Sequence, residues 1–198
     1  VNLVVMVGKN PGQSVLIDDF SLQTNDGGII EGGNPEQPEE PGDAILSETF
    51  ANGFGVFTPQ DITGTQAWYA DTQYHYVKMS AYQQGSTYDN EDWLVSPAVD
   101  LSKSRTLAFE QAFGPANKDM SNAAEIYTLW VSDNYSGDVA TATWTQVAIE
   151  YPSESGWTFV PTSVTLPATG KNAHFAFKYK NTASDATLTW EIKNLTVK

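Results

Sequence analysis

The segment 172–197, NAHFAFKYKNTASDATLTWEIKNLTV, restricts the possible folds more than any other. Ala173, Phe175, Phe177 and Tyr179 alternate with His174, Ala176 and Lys178, which predicts a strand with one apolar face. Residues 181–185 are polar and predict a turn. Leu188, Trp190 and Ile192 alternate again, and then the parity breaks, because Leu195 and Val197 continue the apolar face. A parity break inside a strand marks a bulge. The expectation is a closing hairpin with a bulged last strand.

The same device stands near the start of the sequence. NLVVMVGKN (2–10) aligns with AHFAFKYKN (173–181), and VLIDDFSL (15–22) aligns with WEIKNLTV (190–197). Its parity breaks at the same place, between Ile17 and Phe20. A repeat of this kind sets the architecture. Residues 1–24 are therefore expected to be the C-terminal hairpin of a preceding β-sandwich module. Residues 25–44 read as a linker, with Pro35, Pro38 and Pro41 at three-residue intervals and only acidic charges. Residues 45–198 read as a β-sandwich domain. An isolated hairpin is marginal in water. Residues 1–24 are thus expected to pack on another chain or on the domain edge.

Between the linker and the last strands, short apolar runs are separated by turn residues. The expected strands are 45–50, 67–70, 77–82, 93–95, 105–113, 126–132, 143–149, 158–166, 172–180 and 187–197. No window holds a helical period over three turns, and residues 114–124 read as a loop. Short strands at regular spacing predict an all-β sandwich or jelly roll.

The charge balance narrows the partners. Ten basic and 24 acidic residues give a net charge of −14. Such a surface repels phosphate backbones, so nucleic acid is not an expected partner. The longest uninterrupted apolar run, Leu3–Val7, is too short to span a bilayer, so no membrane insertion is expected. With no cysteine, disulfides and thiolate metal sites are excluded. Six Trp and nine Tyr among few charges suit an extracellular β-protein.

Six motifs occur in order: SETF (47–50), NEDWLVSPAVDL (90–101), TLAFEQA (106–112), LWVSDNYSGD (129–138), ATWTQV (142–147) and FAFKYKN…TWEIKNLTV (175–197). Together they resemble the choice-of-anchor J and cleaved-adhesin domains of secreted Bacteroidetes proteins, over nearly all of 45–198. The resemblance implies a galactose-binding-like β-sandwich that is secreted or held at the cell surface. VLIDDFSL is similar to the final strand of carbohydrate-binding modules found beside xylanases. The function implied is a non-catalytic carbohydrate-binding accessory module of a secreted, multimodular glycan-degrading protein, possible parents including a xylanase-type glycoside hydrolase. The alternative is a structural or adhesive spacer domain with no small ligand.

A sugar ring offers an apolar C–H face on which an exposed Trp or Tyr can stack, while amides and carboxylates bind its hydroxyls. Trp93, Trp130, Trp144 and Trp190 sit among apolar neighbours and read as core. Trp68, Tyr69, Tyr74 and Tyr76 crowd into AWYADTQYHY, Tyr82 follows, and Trp157 comes after the turn SESG. With Gln83 and Asn90 at their rim, these are the candidate residues for binding polysaccharide. A satellite core under long loops suits the same residues, and the sequence leaves both open.

Galactose-binding-like sandwiches commonly carry a structural calcium where first and last strands meet. The resemblance offers Glu48 there, but Lys193 stands where an Asp is usual. Glu48, Asp89 and Asp92 are the candidate calcium ligands. Glu110, Glu125, Glu150 and Glu191 are available for glycoside hydrolysis, but nothing in the sequence pairs them across a cleft. The expectation is a domain that is not itself an enzyme.

Overall fold

The computed structural model describes residues 44–198 together with two short strands near the start, β1 (Leu22–Gln23) and β2 (Ile29–Ile30). The chain divides into two units, Val1–Pro41 and Gly42–Lys198. In the first unit β1, in the stretch read as the preceding module's hairpin, pairs antiparallel with β2, in the stretch read as linker. Residues 1–21 of the expected hairpin, its packing and the proline-spaced segment lie outside the described residues.

The second unit runs β3 (Leu46–Glu48), β4 (Thr58–Thr63), β5 (Tyr69–Asp71), β6 (Tyr76–Met79), β7 (Tyr82–Gln83), β8 (Ser86–Thr87), β9 (Asn90–Val95), β10 (Val99–Leu101) and β11 (Arg105–Gly114). It continues with α1 (Ala123–Ile126), β12 (Tyr127–Ser132), β13 (Thr145–Val147), β14 (Gly156–Leu166), β15 (Gly170–Asn181) and β16 (Thr189–Val197). Two antiparallel sheets face each other. One has the order β13-β12-β15-β9-β4, with β10 also on β15; the other has β14-β11-β16-β6-β5, with β3 also on β16. This is the all-β, galactose-binding-like sandwich expected from the sequence. The one helical turn among the described residues, α1, begins at the end of the stretch expected to be a loop.

One expectation needs correction. β15 and β16 are not a hairpin: each is central in a different sheet. The chain crosses from sheet to sheet through residues 182–188, and the apolar faces of the two strands meet across the core. Phe177 and Trp190 touch edge to face with ring centroids 5.6 Å apart. Alternation tells which side of a strand is apolar, but not whether the next strand lies beside it or opposite it. The bulge stands where the parity break placed it. The β11–β16 register shifts between Ala108 and Glu110, and Asn194 takes a φ of 49°. Asn tolerates this left-handed conformation better than most side chains.

Trp190 is the centre of the core. It is fully buried among Trp68, Phe113, Tyr127 and Phe177, with ring centroids 5.6–6.1 Å away. Its indole N–H donates to Gln111 Oε1 at 3.1 Å, and the Gln111 amide donates in turn to Thr162 Oγ1 and the Glu150 carbonyl, both at 2.8 Å. The sheet crossing is held from inside. The Tyr127 hydroxyl accepts the Leu188 N–H at 2.5 Å, and the Tyr179 hydroxyl donates to the Leu188 carbonyl at 3.1 Å. Tyr→Phe at 127 leaves a buried N–H without an acceptor. The expected loss is about 1–3 kcal/mol in urea unfolding, with the denaturant slope unchanged.

The outer face of the first sheet carries a second apolar cluster. Trp93, Val95, Val139 and Ala176 are buried there, with Trp130, Tyr135 and Trp144 packed on them. Lys178 Nζ lies 4.6 Å from the Trp93 ring centre and 5.5 Å from that of Trp130, and pairs with Glu91 at 3.0 Å. Glu91 also holds Lys180 at 2.8 Å. Burial pushes the Glu91 carboxyl up, but the hydrogen bonds from Lys180, Lys178 and Trp93 outweigh it and hold the pKa down at about 2. Because the folded value is depressed, this stabilisation is full above the ordinary value of 4.5 and is lost as pH falls towards 2. Glu91→Gln is expected to lower the melting temperature at pH 7, and the gap to the native chain is expected to close near pH 2.

Candidate functional site

With the first sheet's outer face filled, the second sheet offers the open surface. Its outward residues come from alternate positions: Tyr69 on β5, Tyr76 and Lys78 on β6, Thr189 and Glu191 on β16, and Trp157 and Phe159 on β14. Trp157 sits where β14 begins, opposite the end of β11. A Cβ placed on Gly114 would lie 2.1–2.2 Å from three atoms of the Trp157 six-membered ring. The indole therefore lies face-on against the Gly114 backbone, which only glycine permits, and its other side stays in solvent at 53% exposure.

A groove of 540 Å³ opens beside this ring. Tyr69, Tyr82 and Trp157 supply aromatic surface, and Gln66, Lys78 and Gln83 supply polar groups. Gln66 Nε2 donates to Gln83 Oε1 at 3.2 Å, which fixes both amides at the rim. Lys78 Nζ stands 5.3 Å from the Tyr69 ring centre and 5.6 Å from that of Tyr76, held by cation–π attraction. A second groove of 610 Å³ adjoins it, and the two share Ser80, Tyr82 and Thr189. The combined surface is open to solvent, with Tyr69, Tyr82 and Trp157 as its aromatic lining.

The candidate residues divide clearly. Tyr69, Tyr82, Gln83 and Trp157 come together in the groove. Tyr74 is exposed but stacks on Tyr76 outside it, with centroids 6.4 Å apart and planes 10° apart. Tyr76 is half-buried; burial first, then Glu191 and Asp71, push its hydroxyl up to about 12. Burial likewise raises the Glu191 carboxyl. Trp68 is a core residue against Trp190 and cannot serve as a platform, because it alternates with Tyr69 and the inward position fell to it. Asn90 is 1% exposed and stands on the first sheet, and it does not line the groove. Nothing in the sequence marks Gln66, Lys78 or the seat provided by Gly114. Only the pairing of β11 with β14 reveals the glycine's role.

The calcium ligands expected from the sequence do not form one site. Glu48 Oε1 accepts the Phe50 N–H at 2.7 Å and its Oε2 accepts the Val56 N–H at 3.2 Å. It thus organises a turn in which buried Phe50 takes a φ of 59°, a strained value for a bulky residue. Lys193, at the position where the resemblance implies an Asp, pairs with Glu110 at 3.4 Å. The residues present where first and last strands meet therefore do not fit calcium. Asp89 accepts the Ala183 N–H at 2.6 Å, and Asp92 is buried in the other sheet. Among the described residues no group of three or more His, Cys, Asp or Glu side chains gathers. No helix there is long and apolar enough to cross a membrane.

Comparison with known proteins places the fold. The K1 cleaved adhesin domain of the Lys-gingipain of Porphyromonas gingivalis W83 aligns with 77% of this chain and 96% of its own, at 19% identity and a TM-score of 0.51. The K2 cleaved adhesin domain of Lys-gingipain aligns over 77% of this chain and 98% of its own, at 14% identity and a TM-score of 0.57. The CBM22-2 xylan-binding domain of Paenibacillus barcinonensis Xyn10C aligns over 78% and 99%, at 10% identity and a TM-score of 0.48. No family model matches the sequence, and no curated protein does. The chain shares the sandwich of the cleaved adhesin domains.

Gly114→Ala tests the seat of the platform. The added methyl is expected to drive the Trp157 ring out of place. Its indole N–H resonance should move, while the backbone amide resonances of β12 and β15 stay where they are.

Proposed function

We propose that this domain is a non-catalytic carbohydrate-binding module whose ligand is a polysaccharide chain lying along the outer face of the second sheet. The observation that carries this reading is the Trp157 ring, flat on Gly114 with its free side in solvent, next to Tyr69 and Tyr82 over one groove. The apolar face of a sugar stacks on such a ring, and Gln66, Gln83 and Lys78 bind its hydroxyls. Binding of this kind holds a larger protein near its substrate and raises effective concentration. The sequence features read as choice-of-anchor J-like support a secreted or cell-surface protein of a Bacteroidetes organism, with a glycoside hydrolase as parent.

A second reading has its own support. The fold similarity to cleaved adhesin domains favours an adhesive or spacer module without a sugar ligand. Affinity electrophoresis in gels containing xylan, mannan, glucan or galactan separates the two. Retardation by one glycan, weakened about tenfold by Trp157→Ala, is the expected result. Free migration on all four favours the adhesive module.

A further inference from the structure

The second sheet carries a buried charge on its outward face. Glu191 of β16 is 5% exposed and lines neither groove. A carboxylate in such a place is costly unless an opposite charge stands close. The β16–β6 register supplies one. Glu191 stands directly opposite Lys78, and Lys78 lines the groove beside Trp157. Opposed side chains of an antiparallel pair are neighbours on one face.

The other elements around Glu191 leave Lys78 to it. Across β11 stands Ala112, which brings no charge. The Tyr76 hydroxyl faces the carboxyl from β6, and Asp71 stands opposite Tyr76 on β5. Lys193 lies two positions along β16 but pairs with Glu110 of β11 at 3.4 Å. Phe159 of β14 brings only its ring, with its centre 6.0 Å from that of Tyr76 and 4.0 Å from Lys193 Nζ. Burial pushes the Glu191 carboxyl up, and Lys78 is the chief pull back down.

The cations of this face are balanced throughout. Lys78 has Glu191, Lys193 has Glu110, and at the adjoining groove Lys118 has its chain neighbour Asp119. Asp71 is left over, and its Oδ1 accepts the Gln73 and Tyr74 N–H groups at 3.0 and 3.1 Å. Three cations thus stand against four carboxylates, in a chain whose net charge is −14. An acidic sugar chain finds no net attraction at such a surface and is repelled at longer range.

We propose that Glu191 sets the charge preference of the groove: it cancels Lys78, so the site takes uncharged glycan chains and turns away acidic ones. This inference rests on the reading of the groove as a glycan site. Glu191 is then a specificity-determining residue that acts through Lys78 without touching the ligand. With its charge offset, Lys78 serves as a donor to sugar hydroxyls. Without Glu191 its ammonium would favour a carboxylate, because hydrogen bonds between charged groups are the stronger ones.

The test uses the full chain in low-salt affinity gels, where charge effects are least screened. The probes are xylan, mannan, glucan and galactan, each plain and sparsely carboxymethylated. The native chain is expected to bind a plain glycan and to bind its carboxymethylated form less. Glu191→Gln keeps the shape and removes the charge. It is expected to raise the ratio of carboxymethylated to plain affinity about threefold, and Lys78→Met in the same chain to abolish that gain. Glu125→Gln, on α1 and lining neither groove, changes the net charge equally and is expected to leave the ratio at its native value. Between about pH 7 and about pH 5 the ratio is expected to rise more in the native chain than in Glu191→Gln, because the raised Glu191 carboxyl takes up its proton before ordinary carboxylates do. A native chain that prefers the carboxymethylated form overturns the inference and leaves the glycan reading standing. So does a ratio that Glu191→Gln raises no more than Glu125→Gln. Free migration of both the native chain and Glu191→Gln on every polymer overturns the inference and the reading together.

Discussion

The crossing of the chain from β15 to β16 governs this sandwich. Two long central strands, adjacent in sequence, have to sit in different sheets, so the backbone between them passes the edge of the core. Leu188 lies at that passage with 4% exposure, and its N–H and carbonyl need partners where no strand runs beside them. The hydroxyls of Tyr127 and Tyr179 provide both. The Tyr179 hydroxyl also accepts the Ala81 N–H at 3.2 Å, so the same contact fixes the end of β6. Tyrosine suits this place because its ring fills core volume while its oxygen reaches the backbone.

From that arrangement follows the unlike character of the two outer faces. On the first sheet, the loop 133–144 folds back and packs Tyr135, Val139 and Trp144 onto Trp93, so that face is spent on packing. Among the described residues no comparable loop covers β6 and β16 of the second sheet, and Tyr69, Trp157 and the neighbouring Tyr82 of β7 remain in solvent. Edge positions make the groove. β5 and β14 are the two outermost strands, and β14 carries Pro161, which an edge strand accommodates because one side of its backbone need not pair. The aromatic groups at these two margins frame the middle of the sheet.

Much of the fold was legible because alternation is a local property. The strand runs, the bulge at Asn194 and the burial of Trp93 and Trp190 all follow from which residues share a face. What alternation does not encode is which strand lies next to which. The sheet crossing was therefore expected as a hairpin, and Asp61 and Asp92, 31 positions apart in sequence, gave no sign of standing opposite each other. β4 leaves no such trace: TPQDIT is polar, contains Pro59 and has no apolar face to betray it. In the candidate site, neighbouring aromatics were readable as a set but not as in or out. Trp68 and Tyr69 must point to opposite sides, and only the packing decides that the larger ring goes inward.

The placement of Trp157 has an optical consequence. Of the six indoles in this chain, Trp68, Trp93 and Trp190 are buried, Trp130 and Trp144 are half-covered, and Trp157 is 53% exposed. A small neutral quencher such as acrylamide collides with that one ring far more often than with the other five. The quenchable share of the emission is thus a direct gauge of whatever comes to rest on the rim, with no label added to the protein.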